Sequence, residues 1–179
     1  MEREFAIETE RLGLRPWREE DAEALYKYAS DPRVSELALW PAHTSVEMSL
    51  WVIREVFRPN PDTFAMVLLE TGEPVGCIGL VPEGDEHFPL VENEREAGYW
   101  IGHPLWGRGL TPEALGGFMD YCSAKLGLSS LLITTDKKNV SSRRVAEKCG
   151  FGLVGEYVFE GVPGYAFRRA LRPQAEPEN

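Results

Sequence analysis

The chain has 179 residues, 43% of them hydrophobic, which is typical of one globular domain with a sizeable core. It contains no run of about 18 apolar residues, so no membrane span is predicted. Its N-terminal residues are charged and lack an apolar stretch, so secretion is not expected. The formal net charge of −10 disfavours nucleic-acid binding as the main activity and is compatible with a cationic partner. Three cysteines without CxxC spacing fit a reduced, cytoplasmic environment.

Hydrophobic periodicity and turn residues predict eleven elements in chain order. Strands are expected over residues 10–17, 64–69, 74–81, 95–102, 131–135, 151–160 and 165–171. Helices are expected over 19–30, from the capping box Thr44-Ser-Val-Glu47 to Pro59, over 111–126 and over 140–149. An acidic connection joins the third and fourth strands over residues 82–94.

The order β-α-α-β-β-β-α-β-α-β-β predicts an α/β fold in which helices flank a mixed central sheet. No internal repeat and no second domain are visible, so a single domain is expected over residues 1–171. Residues 172–179 are polar and contain proline, and they are expected to form a frayed tail.

The most informative segment runs from Gly98 to Leu115, where an aromatic strand enters a glycine-rich turn and then a helix. Thr111 is predicted as the N-cap, with proline at the first helical position and glutamate in the first turn. Gly107 and Gly109 allow unusual backbone angles and close approach of a ligand. Free N–H groups at the helix start would then face an anion. The segment therefore predicts a pyrophosphate cradle, although it matches neither a Walker loop nor a dinucleotide fingerprint.

Three separated motifs carry a family resemblance over nearly the whole chain. They are Thr9-Glu-Arg-Leu-Gly-Leu-Arg-Pro-Trp17 with Asp21-Ala22 and Asp31-Pro32-Arg-Val34, then Gly98-Tyr-Trp-Ile-Gly with Trp106-Gly-Arg-Gly-Leu-Thr111, and finally Asn139-Val-Ser-Ser-Arg-Arg-Val-Ala-Glu-Lys-Cys-Gly-Phe151. Together they resemble the GCN5-related N-acetyltransferases (GNAT), specifically the ribosomal-protein-alanine acetyltransferase (RimJ/RimL-like) branch. One departure is Thr111, which stands where the family loop has glycine or alanine.

The resemblance implies a GNAT fold and acetyl-CoA as cosubstrate, bound by residues that match the family's strand, loop and helix motifs. These residues are Trp100, Ile101, Trp106, Gly107, Arg108, Gly109, Leu110, Thr111, Asn139 and Ser142. No metal site is expected, because the three histidines show no ligand spacing.

Two catalytic residues are expected on the same basis. Glu96 corresponds to a carboxylate that deprotonates the amine, often through water, with Glu94 as second choice; a solvated acidic run is the alternative. Ser142 would protonate the departing CoA thiolate or bind the cofactor, unless it only caps the helix. A backbone N–H near Trp100 or Ile101, where the strand splays from its neighbour, would stabilise the oxyanion.

These residues predict acetyl transfer by direct attack in a ternary complex, since no cysteine suits an acyl intermediate. The branch resemblance favours a ribosomal or other protein N-terminus as acceptor, and a small amine of the aminoglycoside or polyamine type is the enzymatic alternative. A non-catalytic acyl-CoA-binding regulatory domain is the alternative from another functional class.

The acceptor is expected between the N-terminal helices and the terminal hairpin, near Trp40, Trp51, Tyr157 and Tyr165. A cytoplasmic monomer or homodimer without membrane or nucleic-acid contacts is expected.

Overall fold

A computed structural model describes residues 4–172 of the protein. Its strands are β1 (Ile7–Glu8), β2 (Leu12–Pro16), β3 (Thr63–Leu68), β4 (Pro74–Leu80), β5 (Glu94–Ile101), β6 (Ser130–Asp136), β7 (Gly152–Phe159) and β8 (Val162–Ala170). Its helices are α1 (Ala22–Ala29), α2 (Pro32–Ala38), α3 (Val46–Val52), α4 (Leu110–Ala124) and α5 (Val140–Lys148).

One mixed sheet organises the domain, in the order β1-β2-β3-β4-β5-β6-β8-β7. Every neighbouring pair is antiparallel except β5 and β6, which are parallel. The larger apolar cluster packs between the sheet and α4, and a smaller one packs under α1 and α3. Helices thus cover both faces, and the expected α/β architecture is confirmed.

Two short elements were not predicted, namely β1 and α2. Asp31-Pro32 does end α1, but it also starts α2: the Asp31 carboxylate accepts a hydrogen bond from Arg33 N, and Pro32 occupies the first helical turn. The same dipeptide can therefore stop one helix and cap the next.

The helix expected from the Thr44 capping box begins one residue later than that pattern implied. Ser45 is its N-cap and accepts a hydrogen bond from Met48 N at 3.0 Å. Beyond Val52 the helix widens into a π-helical turn over Ile53–Phe57, whose Ile53 and Phe57 side chains pack in the smaller apolar cluster.

The sheet opens between β5 and β6. The two strands pair only where Glu94–Ala97 faces Ser130–Ile133. Beyond Ala97, β5 continues to Ile101 beside β4 alone, and β6 continues to Asp136 beside β8. The splay expected near Trp100 and Ile101 is confirmed, and it leaves an unpaired strand edge in the middle of the sheet.

Of the tail expected over 172–179, only Arg172 lies within the described residues. Between residues 4 and 172, no helix is long and apolar enough to cross a membrane.

Candidate active site

A cleft of about 880 Å³ follows the splay between β5 and β6. It is lined by residues of strands β4 to β7, of helices α2 and α3, and of the starts of α4 and α5. Nine of the ten residues expected to contact the cofactor line the cleft. They are Trp100, Ile101, Trp106, Gly107, Gly109, Leu110, Thr111, Asn139 and Ser142. The exception is Arg108, whose side chain is exposed. The expected catalytic carboxylate Glu96 also lines the cleft.

The glycine-rich turn forms one end of this cleft. Gly107 and Gly109 have φ angles of 74° and 75°, which favour glycine strongly. Gly109 is the N-cap of α4 and its carbonyl accepts a bond from Glu113 N, so the helix starts at Leu110. The prediction of Thr111 as N-cap is therefore wrong, because the left-handed backbone of Gly109 starts the helix earlier. Thr111 lies in the first turn and is 8% exposed.

The turn is clamped from outside by the residues between β1 and β2. The Glu113 carboxylate accepts bonds from Thr9 Oγ1 at 2.6 Å, from Arg11 N at 2.9 Å and from Arg11 Nε at 2.8 Å. Arg11 Nη1 also donates to the carbonyl of Arg108 at 2.9 Å. At the cleft side, Trp106 Nε1 donates to the Ile101 carbonyl at 2.9 Å. These contacts hold the start of a 15-residue helix toward the cleft, where its free N–H groups favour an anion.

Glu96 is buried on the β5 strand, with its side chain only 2% exposed. Its Oε1 accepts a bond from Thr134 Oγ1 at 2.5 Å and lies 2.8 Å from His87 Nδ1. Its Oε2 accepts a bond from His87 N at 2.8 Å. The carboxylate is thus held by groups from the 82–93 connection and from β6, rather than solvated as part of an acidic run.

Glu94, the second candidate base, has a different environment. Arg168 on β8 donates to both of its oxygens, at 2.7 and 2.9 Å, and Ser130 donates to Oε2. Burial works to raise the pKa of Glu94, but the bonds from Arg168 and Ser130 outweigh it and lower that pKa. Glu94 does not line the cleft. Its geometry is that of a structural ion pair.

The strand register decides which amides of β5 face the splay. The Glu96 carbonyl accepts from Val81 N, and Gly102 N donates to the Val75 carbonyl. Because backbone groups alternate between the two edges of a strand, the amide of Trp100 also faces β4. The amide of Ile101 faces the gap, as does that of Tyr99. Of the two amides expected to serve the oxyanion, only that of Ile101 is therefore placed to do so.

The N-terminus of α5 meets β5 across the gap. Asn139 is the N-cap, and its Oδ1 accepts a bond from Ser142 N at 3.1 Å. Ser142 Oγ donates to Tyr99 Oη at 3.2 Å, while Tyr99 Oη donates to the Ser142 carbonyl at 3.0 Å. Burial raises the pKa of Tyr99, so this hydroxyl stays protonated at neutral pH. The cap is Asn139, which leaves the Ser142 hydroxyl at the cleft.

Aromatic side chains form the other half of the cleft. The Trp40 ring meets Trp100 edge-on, with centroids 5.5 Å apart, and Trp51 is 58% exposed at the mouth. Tyr157 also lines the cleft, as expected, whereas Tyr165 does not and packs beside Phe167. The wall nearest Trp40 comes from α2, the helix that the sequence did not predict.

Sequence reasoning missed three groups that complete the site: His87, Thr134 and Tyr99. His87 was assessed only for metal-ligand spacing, and its pairing with Glu96 depends on a fold-back of the connection that no local pattern signals. Thr134 and Tyr99 contact their partners 38 and 43 residues away along the chain. Residues 4–172 contain no cluster of three or more His, Cys, Asp or Glu side chains able to hold a metal ion.

Comparisons with known proteins identify the family of this chain. A family model described as "Acetyltransferase (GNAT) domain" matches residues 11–152. The uncharacterized N-acetyltransferase p20 of Bacillus licheniformis is 28% identical over 159 residues, which is 83% of this chain and 85% of that protein. A candidate ribosomal-protein-serine acetyltransferase from Vibrio cholerae is 25% identical with a TM-score of 0.76, covering 95% of this chain and 99% of that chain.

A more distant structural neighbour is spermidine N-acetyltransferase from Vibrio cholerae, solved in complex with CoA and spermine. It is 15% identical with a TM-score of 0.72, covering 90% of this chain and 96% of that chain, and this likeness shows the fold. The cradle, the splayed strand and the family match together give one conclusion. This chain belongs to the GNAT acetyltransferase family and is an acetyl-CoA-dependent N-acetyltransferase.

Proposed function

We propose that the protein transfers the acetyl group of acetyl-CoA to a primary amine, with a protein or peptide N-terminus as acceptor, by direct attack in a ternary complex. The observation that carries this proposal is the single cleft that joins the glycine turn to the buried Glu96 carboxylate through the gap beside β5. A cosubstrate with its pyrophosphate at the turn would lay its chain along the unpaired strand edge. Its thioester would then lie between the two ends of the cleft.

The chemistry needs a base, a donor to the oxyanion and a proton donor for the leaving thiolate, and the cleft supplies a candidate for each. The Glu96 carboxylate provides the negative charge for removing a proton from the acceptor ammonium. The neutral amine then forms the new C–N bond, and the Ile101 amide is placed to donate to the developing oxyanion. As the C–S bond breaks, the Ser142 hydroxyl gives a proton to the CoA thiolate. The attacking nitrogen releases its second proton to solvent, and the serine regains a proton from solvent. In this proposal the cosubstrate is held by Trp100, Trp106, Gly107, Gly109, Leu110, Thr111 and Asn139. Arg108 is available to its phosphates.

Direct transfer is favoured over an acyl-enzyme because of the state of the cysteines. Burial raises the pKa of Cys77 and of Cys122 to about 12, and it also raises the pKa of Cys149. A thiol in that state carries almost no thiolate at neutral pH and is a poor nucleophile.

The acceptor half of the cleft supports a peptide N-terminus over a polycationic small amine. Its wall is aromatic, formed by Trp40, Trp51 and Trp100, and His43 beside them has a pKa lowered by burial and is neutral. An aminoglycoside or polyamine would require several carboxylates along its length, whereas an N-terminal residue requires one base and an apolar pocket. A role on a ribosomal protein, like that in the name of the Vibrio cholerae neighbour, is the finer form of this proposal, with a monomer or homodimer acting in the cytoplasm.

A screen of acceptors by released CoA thiol tests the proposal. Lysine-free peptides with free N-termini should give turnover, while the same peptides with acetylated N-termini should give none. Spermidine and an aminoglycoside serve as the small-amine comparison. In Glu96→Gln and Ser142→Ala variants, kcat should fall at least about tenfold while CoA still binds. If the wild type binds CoA and acetylates no amine, the non-catalytic binding domain is the correct alternative.

A further inference from the structure

The connection between β4 and β5 folds back and places one histidine directly on the buried carboxylate. His87 contacts Glu96 twice, through its backbone N and through its ring Nδ1, both at 2.8 Å. Its ring packs edge-on against Phe159 on β7, with centroids 4.6 Å apart, and is fixed from that side as well. Two independent elements therefore set the orientation of this ring.

Glu96 is poorly placed to touch an acceptor itself. Its side chain is 2% exposed, and both oxygens already accept hydrogen bonds from His87 or Thr134. Three of the roughly four lone-pair positions of this carboxylate are taken, and the buried side chain offers an ammonium group little access to the remaining one. The imidazole of His87, in contrast, is 29% exposed and lines the cleft.

The carboxylate also fixes which ring nitrogen is free. An ionised carboxylate can only accept hydrogen bonds, so the neutral imidazole must carry its proton on Nδ1. The lone pair then lies on Nε2, and within residues 4–172 this atom has no hydrogen-bond partner. The arrangement is that of a base with an unpaired ring nitrogen on a partly exposed side chain that lines the cleft.

We propose that His87 is the catalytic base that takes the proton from the acceptor amine, and that Glu96 is its positioning residue. The inference rests on the proposed function and assigns its proton transfer. In this step the N–H bond of the acceptor ammonium breaks and its proton forms a bond to Nε2. The neutral amine attacks the thioester carbonyl, and the C–S bond of acetyl-CoA breaks as the C–N bond is completed. The attacking nitrogen releases its second proton to solvent, and the imidazolium formed beside Glu96 later releases its own proton to solvent.

The charges around His87 suit this task. The hydrogen bond to Glu96 raises the pKa of His87 above its ordinary value of 6.5, against the opposing effect of burial, and Asp85 and Glu86 act in the same direction. From β7 the facing group is Tyr157, whose own pKa is raised by burial, so it stays neutral. Below its pKa His87 is cationic and cannot accept a proton. Transfer should therefore increase as pH rises through a value above 6.5.

The variant His87→Asn separates this role from a structural one. The asparagine amide can still donate to Glu96 but has no nitrogen that accepts a proton. With a peptide acceptor, we expect kcat/KM to fall about 100-fold. With a hydrazide acceptor, whose amine is already neutral, the loss should be at most about tenfold. His103→Asn is the matched control, because His103 packs on Trp106 and does not line the cleft.

The pH dependence of kcat/KM, rescue by imidazole, CoA affinity and melting temperature together test the role of His87. The wild type and His103→Asn should show the rising limb of kcat/KM above pH 6.5 with the hydrazide, and His87→Asn should lack it. Added imidazole should partly restore turnover of His87→Ala, whose CoA affinity and melting temperature should stay near wild type. If His87→Asn keeps the wild-type rate and limb while Glu96→Gln loses them, Glu96 acts directly and the proposal is wrong. If the wild type transfers to no amine, it is the proposed function that fails.

Discussion

At the residue scale, two carboxylates on one strand show how environment decides between structure and chemistry. Glu94 and Glu96 are two positions apart on β5 and point to the same face of the sheet. Glu94 meets the guanidinium of Arg168, a cation that helps to lower the pKa of this carboxyl. Glu96 meets an imidazole, which can gain and lose a proton near neutral pH. The sequence showed both carboxylates, but their partners come from distant strands and loops.

This contrast predicts a stability defect without a chemical one for Glu94→Gln. Removing the charge leaves the Arg168 guanidinium, 22% exposed, without its partner, and the free energy of unfolding should drop by about 2 kcal/mol. The measurement is urea denaturation at pH 7, with the exposed Glu92→Gln as control. Turnover of folded enzyme should match wild type; a large loss of kcat would contradict the structural role.

The same ion pair gives a pH dependence with a definite sign. The pKa of Glu94 is lowered on folding, so its contribution is complete above the ordinary value of 4.5 and is lost as pH falls through the folded value. The stability gap between wild type and Glu94→Gln should therefore narrow in acid. Unfolding curves at a series of pH values below 4.5 check this, and a gap that widened in acid would contradict it.

At the element scale, the glycine turn and α4 were predicted from local chemistry, and the error lay in the ends of the helix, which runs from Leu110 to Ala124 and not over 111–126. Helical periodicity, Pro112 and Glu113 indicated the helix, but they did not show that Gly109 would adopt a left-handed backbone and start it at Leu110. The short α2 was missed because its start coincides with the stop signal of α1, and the two-residue β1 is too short for any periodic signal.

The turn makes a prediction about cofactor affinity. Gly109→Ala should raise the Kd for CoA about tenfold, because a side chain at φ of 75° costs about 1–2 kcal/mol and shifts the amides at the start of α4. Gly116→Ala on the same helix is the control, since a Cβ there has no neighbour within 4 Å. It should stabilise the fold by up to about 1 kcal/mol and leave the Kd unchanged. Calorimetric titration with CoA distinguishes the two, and equal affinities would contradict the cradle.

At the scale of the whole molecule, the net charge of −10 acts on any cationic acceptor. Electrostatic steering should raise the association rate of a positively charged peptide, and salt should weaken it because the Debye length is about 10 Å at 0.1 M. We expect kcat/KM for a lysine-containing peptide to fall several-fold between about 0.02 and 0.5 M KCl, with kcat unchanged. A neutral peptide with the same N-terminal residue is the control, and an equal response from both would contradict steering.

The sequence by itself determined the α/β class, the glycine-rich turn and the family, because these depend on periodicity, on glycine and proline geometry and on motifs within short segments. Only the tertiary structure decided that Ile101, and not Trp100, offers its amide to the gap, since that depends on the register with β4. It alone joined His87 to Glu96 and Ser142 to Tyr99. Such pairs form where the chain folds back on itself, and no local pattern encodes a contact between residues brought together only by strand order and packing.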